Sequence, residues 1–215
     1  MKTFTNIAGL TFIKLPVYII IVLLMGSNLL HAQHEHPVTM AKAGKNAYIA
    51  MMDTMMADMH KVSTGNTPET AFLQQMIPHH QGAVVMAEYE ITHGKSAEMV
   101  KLAKSILIEQ KNEIKQMQLW LKQAKLGSGK LAESFTAAMA ETMNTMMSTM
   151  PKESELDDTD RAFAAVMKPH HQAAIDMARV LLQYSKNGKI SAYAKQLIAS
   201  QQVEVNQMTT FLKSK

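Results

Sequence analysis

The chain repeats a six-residue phrase. Met76-Ile77-Pro78-His79-His80-Gln81 returns 91 residues later as Met167-Lys168-Pro169-His170-His171-Gln172. The same shift aligns Met52–Leu121 with Met143–Leu212 without a gap, and 25 of those 70 positions are identical. A gapless duplication of this length requires a fold that builds the same unit twice. What it preserved is histidine next to methionine.

Each unit carries three helical patterns. The first runs from about Met40 to Lys61 and places Met52, Met55, Met56 and Met59 at i, i+3, i+4 and i+7, on one helix face. Its copy carries Met143, Met146, Met147 and Met150. Thr67-Pro68-Glu69 reads as a cap, a first-turn proline and a first-turn acid, so a second helix starts there and runs to about His93. Its inner stripe is Phe72, Met76, His79, Ala83 and Met86, repeated as Phe163, Met167, His170, Ala174 and Met177 from a start near Asp158–Asp160. After Gly94 a third helix extends to about Gln123 with Leu102, Ile106, Gln110, Glu113, Met117 and Trp120 inward. The copy reads Tyr193, Leu197, Gln201, Glu204, Met208 and Phe211, following a break at Asn187-Gly188. No segment alternates as a strand does. Six helices with short turns predict an all-α antiparallel bundle of two tandem three-helix repeats.

The expected organisation is a signal peptide over residues 1–32, a short His-containing tail over 33–43, repeat 1 over 44–126 and repeat 2 over 131–215. Lys2 and Lys14 precede or flank the apolar run Leu15–Gly26, and Ala32-Gln33 offers a cleavage junction. Twelve apolar residues are short for a membrane span, so export with cleavage, to the periplasm, is expected and no other membrane segment. Cleavage would expose Gln33-His34-Glu35-His36, a further place to capture Cu(II).

Composition removes several function classes. Without Lys2 and Lys14, 20 basic residues face 18 acidic ones, a net charge of +2. Arginine occurs only at Arg161 and Arg179, so phosphate and nucleic-acid recognition are not expected. The chain has no cysteine, hence no disulfide and no thiolate metal site. Its excess is methionine, at 20 residues. Methionine is an adaptable core filler, and its alternative use is as a thioether ligand.

The second helix offers both donor types at once. His79 lies on the apolar stripe, His80 sits about 100° further round, and Met76 is one turn before both. Imidazole suits copper and zinc, and thioether favours Cu(I) or Ag(I) over Mg²⁺ or Ca²⁺. The candidate metal set is therefore Met76, His79, His80, Met167, His170 and His171, with Met52, Met56, Met143 and Met147 from the methionine blocks. Glu113 and Glu204 are candidates to accept a ring proton from a ligating histidine and fix its tautomer. Direct ligation and an ordinary buried network are the alternatives. Pro78 and Pro169, inside their helices, either reorient the histidines or only shape the bundle. An unperturbed imidazole has a pKa of about 6.5, so histidine-based binding is expected to weaken between roughly pH 7 and pH 5.

These motifs resemble a known family. His-His after Met-x-Pro, the following Met86-Ala87 and Met177-Ala178, and the downstream Gln110, Glu113, Met117 and Gln201, Glu204, Met208 are similar to the domain of unknown function 305. The likeness covers nearly the whole chain after residue 32, as two copies. It implies a ferritin-like helical fold and membership among periplasmic copper-binding proteins of copper-resistance systems. It points to His79, His80, His170 and His171 with neighbouring methionines. Lys168 in place of Ile77, and Pro151 opposite His60, depart from strict repetition.

Three functions compete. The first is sequestration or delivery of Cu(I) and Cu(II), with silver as a further guest and other copper-handling proteins as partners. The second is a di-iron enzyme, which needs Glu from two helices and Glu-x-x-His from two others. Only Glu90-Ile91-Thr92-His93 fits, and its copy, Leu181–Tyr184, does not, so no enzyme is expected. The third is a metal-free helical partner protein.

Overall fold

The computed structural model describes residues 46–63, 65–123 and 130–214. The expected signal peptide, the whole 33–43 tail and its Cu(II) site lie outside them, as does most of the linker. The order is α1 (Ala47–Lys61), α2 (Pro68–His93), α3 (Ala97–Gln123), α4 (Glu133–Ser148), a short 3₁₀ turn (Glu153–Glu155), α5 (Thr159–Tyr184) and α6 (Gly188–Lys213). Among the described residues there is no strand, and no helix is long and apolar enough to cross a membrane.

The helix boundaries have local causes. The Thr67 hydroxyl accepts from the Thr70 amide, Pro68 fills the first helical position and Gly94 follows the last residue of α2. Asp158 caps α5 by accepting from the Arg161 amide, and Asn187 caps α6 by accepting from Lys189 and Ile190. α2 and α5 run unbroken through Pro78 and Pro169.

α2 packs along α3, α5 along α6, and α2 against α5, which joins the two hairpins into one bundle. α1 lies on α2 and reaches α5, while α4 lies on α5. The Glu69 carboxylate, at the start of α2, meets Ser185 just beyond the end of α5, so these two helices are antiparallel.

The apolar core falls into two parts. One collects the second half of α2, the first half of α3 and the end of α6, with Met86, Met99, Ile106 and Met208. The other collects the first half of α2, the end of α3 and the start of α6, with Phe72, Met76, Met117 and Leu197. Between them, at mid-height, lie the buried polar residues His79, His80, Gln110, His170, His171, Gln201 and Glu204. A polar layer thus crosses the bundle where the repeated phrases meet.

The methionine faces differ from the expected stripe. α1 buries Tyr48, Met51, Met52 and Met55, one step round from Met52, Met55, Met56 and Met59. Tyr48 decides this, because its hydroxyl donates to buried Glu90 at 2.5 Å and sets the rotation of the helix. α4 turns Phe135, Met139, Thr142 and Met146 inward.

Candidate metal centre

All four histidines are completely buried. His79 and His170 stack across the α2–α5 contact, with ring centroids 3.8 Å apart and planes inclined by 34°. His170 Nε2 donates to the His79 carbonyl at 3.1 Å. His80 Nε2 lies 2.6 Å from Glu113 Oε2 on α3, and His171 Nε2 lies 2.8 Å from Glu204 Oε2 on α6. The two His–Glu pairs have the same 33-residue separation, as the duplication requires. Each carboxylate accepts from its histidine.

The ring chemistry follows from these bonds. A neutral imidazole that donates from one nitrogen keeps a lone pair on the other. In His80, His170 and His171 the donor is Nε2, so Nδ1 is the base. All three Nδ1 atoms are buried without a hydrogen-bond partner, and so are both ring nitrogens of His79. Gln110 Oε1 and Gln201 Oε1, one turn before the two glutamates, are also unpartnered. Each buried orphan of this kind costs about 1–3 kcal/mol. A donor set of unsatisfied imidazole nitrogens, oriented from behind by carboxylates, fits a borderline or soft cation.

Burial holds His79 well below the usual imidazole range, with help from the nearby His80 and His171. Burial likewise lowers His170, together with His79, His171 and His80, against a smaller opposing effect of the bond to the His79 carbonyl. Both stay neutral, the form that ligates metal.

The repeats are not identical here. Tyr193 donates to Glu113 Oε2 at 3.3 Å, and its counterpart in the alignment is Leu102. Tyr193 also packs edge-on against Trp120, with centroids 5.1 Å apart. This link escaped the sequence because Tyr193 reads simply as an apolar stripe residue.

The candidate methionines are spread out. Met76 and Met167 are fully buried, each in a different half of the core. Met52 is buried, Met56 and Met143 are half-buried, and Met147 is 42% exposed. Met55, outside the candidate set, packs its sulfur against the backbone of Gly82, one turn past His79. Among the described residues no three His, Cys, Asp or Glu side chains converge as a metal cluster. Glu90 is buried against Tyr48, whereas His93 is exposed and stacks on Tyr89 at 3.9 Å. The two side chains of this Glu-x-x-His motif therefore have different surroundings.

The family described as Domain of unknown function (DUF305) matches residues 24–121 and again 69–212. The chain belongs to this family. Two matched segments, each spanning one His-His phrase or both, agree with the internal repeat. Among solved structures it is similar to CopM in the Cu(II)-bound form, at 28% identity and a TM-score of 0.52, over 70% of this chain and 98% of that one. It is similar to CopM in the Cu(I)-bound form at 30% identity and a TM-score of 0.50, over 67% and 94% of the two chains. CopM has also been solved bound to silver. A DUF305 fragment from Deinococcus radiodurans, 23% identical, shares the fold at a TM-score of 0.50 over 70% of this chain and 98% of that one. Curated proteins give no match.

Proposed function

We propose that this protein binds copper as cargo outside the cytoplasm, sequestering or delivering Cu(I) and Cu(II) in copper tolerance, and that it is not an enzyme. The observation that carries this reading is the mid-bundle layer of four fully buried histidines whose Nδ1 atoms have no protein partner. Nitrogen donors set in an apolar interior, next to Met76 and Met167, favour copper or silver over hard cations. Glu113 and Glu204 hold His80 and His171 so that the free nitrogen is Nδ1. The similarity to CopM, solved with Cu(I), Cu(II) and silver, supports the same class of guest. Export rests on the apolar Leu15–Gly26 run and the Ala32-Gln33 junction.

Metal analysis of protein purified from its native host without an affinity tag tests the reading. Copper at a reproducible ratio is expected. Iron would favour a redox enzyme, and metal-free protein that takes up no added copper would end the proposal. Intact mass from the same preparation should lack residues 1–32.

A further inference from the structure

The outward face of α3 carries a pattern that copper binding does not require. Lys101, Lys104, Lys111, Lys115 and Lys122 form a line, with Ile108 and Leu119 standing in it, and all are exposed. Successive members are three or four residues apart. At 100° per residue they fall within an arc of about 80°, opposite the buried stripe of Leu102, Ile106, Gln110 and Met117. At 1.5 Å per residue the line is about 32 Å long.

Its charge is of one sign. Lys111 pairs with Glu88 of α2 at 2.7 Å, an exposed contact of little weight. Among the described residues the other four lysines form no ion pair. The acids of α3 stand off the line: Glu98 just precedes it, while Glu109 and Glu113 meet Ser200 and Tyr193 of α6. Ile108 is 64% and Leu119 50% exposed, so neither serves the core. The second repeat lacks this line. Equivalent positions of α6 keep only Lys195 and Lys213; the others hold Ala192, Ala199, Gln202, Asn206 and Thr210. The same three-helix unit is built without it, so helix packing does not account for it.

We propose that this face of α3 docks the protein on an anionic lipid surface. The lysines lie among the headgroups, and Ile108 and Leu119 dip between them. Long lysine stems let the ammonium groups stay in the polar layer while apolar neighbours enter it. Lysine also separates a lipid surface from an acidic protein. It is a compact point charge suited to a diffuse layer, whereas shaped carboxylate or phosphate sites use the arginine fork, and α3 has no arginine. Protein interfaces are depleted in lysine and anchored by clustered aromatic side chains. This line has no aromatic residue, and its two apolar members are about 16 Å apart along the helix. The docking does not rest on copper binding.

Co-sedimentation with vesicles of equal parts phosphatidylglycerol and phosphatidylcholine tests this, on protein processed as in its host. Wild type should bind at low salt and ignore vesicles of phosphatidylcholine alone. It should leave as salt approaches 1 M, where screening acts within about 3 Å. Each lysine near an anionic bilayer brings roughly a fivefold gain in partition. Lys101→Glu/Lys104→Glu/Lys115→Glu/Lys122→Glu should therefore cut binding more than about a hundredfold, and Ile108→Ser/Leu119→Ser several-fold. Lys61→Glu/Lys152→Glu, at α1 and just beyond α4, should leave it nearly unchanged. Acetylation of the wild type gives the same answer without a variant: anionic vesicles should shield Lys101, Lys104, Lys115 and Lys122 several-fold, but not Lys61 and Lys152. Absence of binding, equal binding to neutral vesicles, undiminished binding of the lysine variant or uniform shielding overturns the proposal. Retention on polyglutamate without binding to vesicles also overturns it, in favour of an acidic protein partner.

Discussion

Glu69 and Asp160 occupy equivalent positions in the two repeats, and each secures the other repeat's turn. Glu69 Oε1 accepts from the Ser185 hydroxyl at 2.8 Å and from the Lys186 and Asn187 amides at 3.0 and 3.3 Å. Asp160 accepts from the Lys95 and Ser96 amides, which stand at the corresponding positions of the first repeat. Burial alone would raise both carboxyls, but the hydrogen-bond donors outweigh it and hold both below the usual range. The duplication is therefore stitched reciprocally, at the two ends of the antiparallel α2–α5 pair.

Removing either stitch should destabilise the protein without touching the histidines. Glu69→Ala and Asp160→Ala should each cost roughly 1–3 kcal/mol, as expected for losing hydrogen bonds to a charged acceptor. A helix of α2's length spans nearly 40 Å, at about 1.5 Å per residue, so the two effects should add. Both carboxyls are depressed by folding, so their stabilisation is present at neutral pH and lost on acidification below about pH 4. Chemical denaturation of the single and double variants checks the additivity, and strong coupling would contradict the geometry.

The metal-free protein should also lose stability in a higher acid window. His79 and His170 are buried and held well below the ordinary imidazole range. An unfolded chain takes up protons at these positions from about pH 6.5 downward, whereas the folded chain does not. Stability should thus decline as pH falls from about 6.5, before the carboxyls matter. Thermal unfolding of wild type against a His79→Leu/His170→Leu variant should show the slope between about pH 4.5 and 6.5 reduced in the variant. Equal slopes would mean that neither imidazole is protected.

Much of this was legible in the residues. The gapless 91-residue shift implied a two-fold arrangement, and Thr67-Pro68, Asp158 and Asn187 marked helix starts by capping chemistry alone. Periodicity placed Glu113 and Glu204 inward as acceptors for a histidine, but it did not select His80 and His171, which lie about 100° off the inner stripe, as the partners. Rotation of α1 was not legible. Five methionines spread round one short helix leave its phase nearly degenerate, and a long-range bond from Tyr48 to Glu90 resolves it. The His79–His170 stack was equally hidden, because helical phase says which face is inward but not which partner meets it across the bundle.

Gly82 shows how tightly α1 fits. A Cβ there would lie 2.7–2.9 Å from the Cβ, Cγ and sulfur of Met55. Gly82→Ala gains about 1 kcal/mol of helix propensity. Pushing Met55 and α1 outward costs about 1–3 kcal/mol. The close contact reaches Met55 Cβ and not only its mobile tip, so a net loss of stability is expected. In the second repeat Ala173 already stands at this position, and Ala173→Gly should lose the propensity together with one buried methyl, about 2 kcal/mol in all. Denaturation midpoints of the two variants decide this. A stabilised Gly82→Ala would show that α1 yields freely.

The single tryptophan should report on one half of the layer. Trp120 touches Tyr193, which bonds to Glu113, which in turn holds His80. The corresponding chain in the other repeat is interrupted, since Leu102 replaces Tyr193. Copper added to the metal-free protein should change Trp120 emission. Tyr193→Phe should diminish that change while leaving the stoichiometry alone. An identical response in the variant would place the metal elsewhere.

The two ligand types should separate by oxidation state and by pH. Thioethers do not titrate in the accessible range, whereas imidazole ligates only when neutral. From unperturbed histidines, binding should fade between roughly pH 7 and pH 5. Burial changes that expectation, because His79 and His170 remain neutral well below the ordinary imidazole pKa. Copper should therefore be retained on acidification further than free imidazole would allow. Replacing His79, His80, His170 and His171 together by Leu keeps the core filled and removes the nitrogens. Cu(II) binding should then vanish, while Cu(I) binding weakens but persists through Met52, Met56, Met76 and their copies Met143, Met147 and Met167. Competition titrations of both ions, with circular dichroism to confirm the helical fold, measure this. Unchanged affinity for both ions in the folded quadruple variant would remove the histidine layer from metal binding altogether.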